Sequence, residues 1–163
     1  ITRDSESAMF VTLFYGILQP ATGDLLFGCA GHNPPLLFRA NAESQEAPLQ
    51  LAVPGIALGV LEEVKLGERE VVVEPGDVLV CYTDGVTEAI DAAEEPFGVP
   101  RLIDVVRAHR DGSAAAVLAA INDALTAFTD GRPPFDDVTL VVIKRTATLA
   151  ETTTEPSTVT KDE

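Results

Sequence analysis

Hydrophobic positions along this chain fall into short apolar runs, and turn-forming residues punctuate them at close intervals. Residues 9–19 form a long β-rich run, Pro20 to Asp24 carry turn chemistry, and Leu25 to Ala30 resume the apolar pattern. The spacing predicts a hairpin. Gly31-His32-Asn33-Pro34-Pro35 interrupts the chain before a short third strand at Leu36–Arg39, and residues 40–48 read as a loop. Val53-Pro54-Gly55 is a further turn, leading to Ile56–Val60. Residues 64–73 alternate, with Val64, Leu66, Val71 and Val73 apolar, and Glu74-Pro75-Gly76-Asp77 turns them toward Val78–Tyr82. A second antiparallel pair is the natural expectation.

Beyond Asp84 the period changes. Leu102, Ile103, Val105 and Val106 have helical spacing within Pro100–His109. Ser113 is a good N-cap for a second helix, which carries Val117, Leu118, Ile121, Leu125 and Phe128 on one stripe. Thr129 to Pro134 end it, and a last strand runs from Val138 to Lys144. Strands first, then helices, then a strand predict an α+β layered fold rather than a doubly wound parallel sheet. From Thr146 the chain is threonine-rich and poor in apolar residues, which predicts a disordered tail over 146–163.

Composition narrows the partners. The 163 residues suffice for one domain with a real core. Twenty-six acidic residues against 11 Lys and Arg give a net charge of −15. Such a chain repels phosphate backbones and anionic lipid, so neither nucleic acid nor direct membrane contact is expected. No apolar run approaches the ~20 residues a membrane span needs. Cys29 and Cys81 each interrupt a strand pattern. They read as buried, reduced thiols, which suggests a reducing compartment and a cytoplasmic location.

Two acidic signatures carry the chemistry. Thr83-Asp84-Gly85 follows the apolar run Val78–Tyr82, and Asp136-Asp137-Val138-Thr139 precedes Leu140–Ile143. Each alone is satisfied by a bland reading: Asp-Gly is a turn signal, and Asp136-Asp137 can be an ordinary loop cap. Together they place carboxylates at the ends of the most apolar strands, where uncompensated charge is costly and a metal would compensate it. Oxygen donors of this kind suit Mg²⁺ or Mn²⁺ rather than Zn²⁺, and a metal so held can activate water. His32, in Gly31-His32-Asn33-Pro34, competes as a general acid or ligand, but a role in fixing the turn is favoured. His109 falls near a helix end, where the dipole favours a cation. Two histidines cannot build a His-rich zinc site, and neither a nucleophile elbow nor a phosphate-cradling glycine loop is present.

The succession of motifs carries a family likeness. Phe10-Val11-Thr12-Leu13, Ala30-Gly31-His32-Asn33-Pro34-Pro35, Pro54-Gly55-Ile56-Ala57-Leu58-Gly59 and the run from Gly76 to Ala89 follow one another in order. Pro96-Phe97-Gly98, Arg101-Leu102 and Asp136-Asp137-Val138-Thr139 complete the set. In this order and spacing, over residues 9–145, the chain resembles the PPM class of metal-dependent protein phosphatases, in its SpoIIE/RsbU branch.

The resemblance implies a layered α-β-β-α sandwich of two mostly antiparallel sheets with flanking helices. It implies that Asp84 and Asp136 are catalytic metal ligands, with Asp137 a lesser candidate ligand, around two Mn²⁺ or Mg²⁺ ions. Gly85 would permit the tight turn, and the Phe97-Gly98 region is similar to a mobile segment beside the active site. It further implies dephosphorylation of a phosphoserine or phosphothreonine protein of the anti-sigma-factor-antagonist type, under an upstream sensory domain. The family carries another metal-binding acid, a glycine carbonyl ligand and a histidine thought to act as general acid upstream of its Phe-Val-Thr-Leu strand. The chain therefore resembles the C-terminal part of the catalytic domain, with the N-terminal part missing and inactivity expected of residues 1–163 alone. A non-catalytic pseudophosphatase or partner-binding module is the alternative, and a Ca²⁺-stabilised β-rich domain a weaker one.

Overall fold

Alternation along the strands decides how the layers form. The computed structural model describes residues 10–43, 45–61, 63–132 and 136–146. Its strands are β1 (Leu13–Leu18), β2 (Asp24–Ala30), β3 (Leu36–Phe38), β4 (Leu49–Gln50), β5 (Glu68–Val72), β6 (Val78–Tyr82) and β7 (Leu140–Lys144). Its helices are α1 (Asp84–Thr87), α2 (Gly98–His109) and α3 (Ala114–Phe128). Two antiparallel sheets result, one in the order β1-β2-β5 and one in the order β4-β3-β6-β7. The fold is α+β, as the strand-then-helix order predicts.

Successive side chains of β3 and β6 point to opposite faces, so each strand serves two cores. Leu36, Phe38, Val78, Val80 and Tyr82 face the helices, where Leu102, Val106, Val117, Ile121 and Leu125 close over them. Leu37 and Leu79 face the other way and pack with Leu25, Phe27, Leu51 and Val73, between the sheets. Strands apolar on both faces are what a central layer requires. The described residues thus form β-β-α of the expected α-β-β-α order, and Leu13, Ile17 and Val72 of the three-stranded sheet are exposed. The predicted tail lies outside the described residues beyond Thr146.

The helices form where the sequence places them. Ser113 caps α3 by accepting from the Ala116 amide at 3.2 Å, and Val117, Ile121 and Leu125 are its buried stripe. Phe97, expected in a mobile segment, is a core residue. Its ring is 2% exposed and meets Phe128 edge-on at 5.3 Å, while Arg101 bonds the Pro96 and Phe97 carbonyls at 2.8 and 3.0 Å. The segment at the start of α2 is therefore held at both its backbone and its ring.

One strand pairing differs from expectation. β5 and β6 do not form a hairpin: β5 pairs with β2 and β6 with β3 and β7, so the intervening turn passes the chain from one sheet to the other. Asp77 explains the crossing. Its fully buried carboxylate accepts from the Glu74 amide (2.8 Å), the Ala40 amide (2.8 Å) and Arg39 Nη1 (2.7 Å). That fastens the turn to the end of β3. Arg39 also bonds the Val72 carbonyl at 2.6 Å, and so ties the end of β5 to the same point.

Both cysteines carry free thiols, Cys29 buried and Cys81 half-buried. Burial pushes the Cys81 thiol from its ordinary 9.0 up to about 11, and raises Tyr82 as well, so both stay protonated at neutral pH. No described helix is long and apolar enough to cross a membrane.

The Asp77 network generates a stability prediction. Asp77→Ala strands two amides and a guanidinium at the sheet crossing, and should cost the full-length protein about 2–4 kcal/mol. Urea unfolding measures this; a loss below about 1 kcal/mol, the net worth of one ordinary hydrogen bond, contradicts the assignment.

Candidate active site

β6 and β7 are paired in register from Val78↔Lys144 to Tyr82↔Leu140. The chain leaving β6 and the chain entering β7 must therefore meet at one sheet end. Three hydrogen bonds hold them there. The Thr83 hydroxyl donates to the Asp137 carbonyl at 2.9 Å and accepts from the Thr139 amide at 2.9 Å. The Thr83 amide donates to the Thr139 carbonyl at 3.1 Å. The Thr83 side chain, bonded to the backbone of Asp137 and Thr139, is thus the clasp between the signatures, a role that neither segment reveals alone.

Gly85 serves close approach rather than turn formation. It lies inside the one-turn helix α1, and a Cβ built there would stand 2.5 Å from the Asp137 carbonyl oxygen. The same atom would lie 3.3 Å from the Asp136 carbonyl carbon. Only a residue without a side chain lets the two acidic segments touch.

The carboxylates sit differently from the sequence argument. Asp84 and Asp136 are exposed, although the strands behind them are buried. Among the described residues the buried carboxylate is Asp77, whose sequence setting reads simply as a turn. Asp84 is the first residue of α1, and its Oδ1 accepts from the Gly85 amide at 3.0 Å. Asp136 Oδ1 accepts from the Asp137 amide at 2.7 Å. Each uses one oxygen locally, leaving the other for a ligand. The Asp137 carbonyl accepts across the junction from Thr83, while its amide holds the neighbouring Asp136 carboxylate.

Two cavities adjoin along the Asp84–Gly85 segment. The smaller, about 60 Å³, is lined by Thr12, Gly31, His32, Asn33, Thr83 and Asp84. The larger, about 260 Å³, is lined by Gly85, Glu88, Ala89, Ile90 and Asp136. The structure thus brings the two acidic turns together at backbone level while their carboxylates border separate cavities. Among the described residues, no group of three or more His, Cys, Asp or Glu side chains is placed to hold a metal ion. The acidic donors that border these two cavities, Asp84 and Asp136, carry hard carboxylate oxygens, a donor type that suits Mg²⁺ or Mn²⁺ with water completing the shell.

His32 does fix its turn, as expected: Nδ1 lies 2.9 Å from the Asn33 carbonyl, and the His32 carbonyl accepts from the Cys29 thiol at 3.2 Å. Its position on the cavity of Asp84 is the feature that sequence reasoning missed. Nothing local could have shown it, because the contact depends on how the two sheets pack. His109 closes α2, with Nδ1 2.9 Å from the Val105 carbonyl.

Comparison with known proteins agrees with this architecture. Residues 1–146 match the sequence profile of Stage II sporulation protein E (SpoIIE). Protein IcfG of Synechocystis sp. is 33% identical over 144 residues, covering 88% of this chain and 22% of that protein. Phosphoserine phosphatase RsbU of Bacillus subtilis is 27% identical over 146 residues, covering 89% of this chain and 42% of that protein. The chain therefore spans well under half the length of these curated relatives. Among solved structures, the Mn-presoaked phosphatase domain of SpoIIE from Bacillus subtilis superposes with a TM-score of 0.64 at 16% identity. That match covers 86% of this chain and 59% of the other. The RsbU and RsbW domains of a Mycobacterium tuberculosis protein give 0.60 at 26% identity, over 83% and 36% of the respective chains. From the profile match, the relatives and the shared two-sheet architecture, the chain belongs to the SpoIIE family, the SpoIIE/RsbU branch of the PPM-type phosphatase domains.

Proposed function

We propose that the full-length protein removes phosphate from phosphoserine or phosphothreonine in a partner protein, using two Mn²⁺ or Mg²⁺ ions. The observation that carries this reading is the clasped junction of the two acidic turns. Asp84 and Asp136 would hold the metal through their free oxygens, with Asp137 fixing the junction by its backbone. The phosphoserine-phosphatase relative and the manganese-soaked structural neighbour support the same chemistry.

Electrostatics explains why cations are needed at all. A chain of net charge −15 repels a dianionic phosphoryl group, and the exposed carboxylates at this sheet end add to that repulsion. Divalent cations bound in such a site supply charge neutralisation on the phosphoryl oxygens and an activated water. In the overall reaction the water oxygen bonds to phosphorus and the bond from phosphorus to the seryl oxygen breaks. Of the water's two protons, one ends on the seryl oxygen and the other leaves on inorganic phosphate. The protein's part would be to hold the two carboxylates in fixed relation, and the Thr83 hydrogen bonds and the bare Gly85 support that part by joining the backbones of the two turns.

For the partner, we infer a phosphorylated regulator of the anti-sigma-factor-antagonist type, by analogy with the RsbU relative, and control by a sensory domain elsewhere in the protein. A cytoplasmic setting fits the two free thiols.

Two measurements on the full-length protein test this reading. Asp84→Asn and Asp136→Asn should each lower Mn²⁺-dependent turnover of a phosphoserine protein by ~100-fold or more, since even outer ligand partners cost 10–100-fold. Wild-type-like turnover in both removes them from the mechanism, and a wild-type protein without metal-dependent turnover favours the non-catalytic module. Gly85→Ala should drive Asp137 away from α1 and weaken Mn²⁺ binding at least about tenfold by calorimetry. An unchanged dissociation constant would show that the close approach does not shape the site.

A further inference from the structure

The contact between His32 and the Asn33 carbonyl fixes more than a turn. A carbonyl only accepts, so Nδ1 at 2.9 Å holds the ring proton, and neutral His32 offers Nε2 as a lone-pair acceptor. The loop that carries the ring is confined on several sides. The Cys29 thiol holds the His32 carbonyl at 3.2 Å. Gly31 adopts φ +70°, and a Cβ there would stand 3.0 Å from the Ala57 amide nitrogen. A Cβ on Gly55 would come within 2.2 Å of the Cys29 carbonyl oxygen, so the 55–57 segment lies directly on the loop. Reciprocal backbone bonds of 2.8 Å between Val11 and Leu58 fasten that segment beside Thr12, another cavity residue.

The cavity that His32 shares with Asp84 measures about 60 Å³. A water needs roughly 10–15 Å³ of such space, so it admits a few waters. The Thr83 hydroxyl is already engaged with Asp137 and Thr139. His32 is therefore a confined residue on the wall of a small cavity bordered by a candidate catalytic carboxylate, with Nδ1 engaged and, among the described residues, no hydrogen bond to Nε2.

Resting on the phosphatase reading above, we propose that His32 orients the attacking water: Nε2 accepts a hydrogen bond from the water beside Asp84 that attacks phosphorus. No proton passes to the ring. The hydrogen bond fixes which way the water's lone pair faces.

Two substitutions in the full-length protein separate this role from turn fixing. His32→Asn keeps a donor near the position of Nδ1 and loses Nε2; His32→Gln places a polar atom near the position of Nε2. His32→Asn should keep its melting temperature within about 3 °C. Its kcat on a phosphoserine protein should fall at least about tenfold, while KM and the Mn²⁺ dissociation constant stay within about twofold. His32→Gln should recover part of that kcat. Wild-type kcat in His32→Asn overturns the role. So does a parallel loss of Mn²⁺ affinity, or a loss of melting temperature in both variants. A wild-type protein with no metal-dependent turnover sinks the phosphatase reading and this role together, whereas an active wild type with an unaffected His32→Asn sinks this role alone.

Discussion

The register of β6 against β7 is the constraint from which the site follows. Pairing Tyr82 with Leu140 leaves the next residues of each strand no choice but to run side by side. Thr83 then reaches both Asp137 and Thr139, and Gly85 lets α1 sit against their backbone. A shift of one residue would turn every β6 side chain to the opposite face, moving Val78, Val80 and Tyr82 out of the helix-facing core. Burial of such side chains is worth roughly 1.5–3 kcal/mol each, so the core enforces the register and the register places the acids.

The opposite end of the sheets is held by charge of another kind. Arg39 and the buried Asp77 join the end of β3 to the crossing between sheets, and Arg145 bonds the Val73 and Ala21 carbonyls at 2.7 and 3.0 Å. These guanidinium contacts fix how the three-stranded sheet lies on the four-stranded one. That packing also decides which loop stands over Asp84. The β2–β3 loop, which carries His32, is delivered to the site by the same arrangement. Carboxylates consequently take two settings in one small fold: Asp77, buried and fully bonded, positions the sheets, while at the other end Asp84 and Asp136 are exposed and each bonds one local amide.

How much of this was legible in the sequence depends on the range of the interaction. The α3 cap and stripe, and the β1–β2 hairpin, are short-range matters of capping chemistry and period, and residues a few positions apart determine them. The motif order also led to the family. The pairing of β5 escaped because an Asp77 contact with Ala40, 37 positions away, converts an apparent hairpin turn into a crossing. The exposure of Asp84 and Asp136 is hidden from the sequence for a related reason: an aspartate at a strand end has one sequence signature whether its carboxylate turns inward or outward. His32 was read correctly in its local bond and incompletely in its surroundings, which only sheet packing creates. Gly85 was identified as necessary, but its reason lies in Asp137 across the junction rather than in its own backbone angles.

In the proposed reading, the clasped turns present Asp84 and Asp136 to a common metal centre. Anomalous diffraction at the manganese edge, from crystals of the full-length protein grown with Mn²⁺, tests it most directly. Manganese peaks should appear with an oxygen of Asp84 and an oxygen of Asp136 among their ligands, at about 2.0–2.6 Å as for hard cations on carboxylates. Manganese bound elsewhere, with both carboxylates turned to bulk solvent, would contradict it.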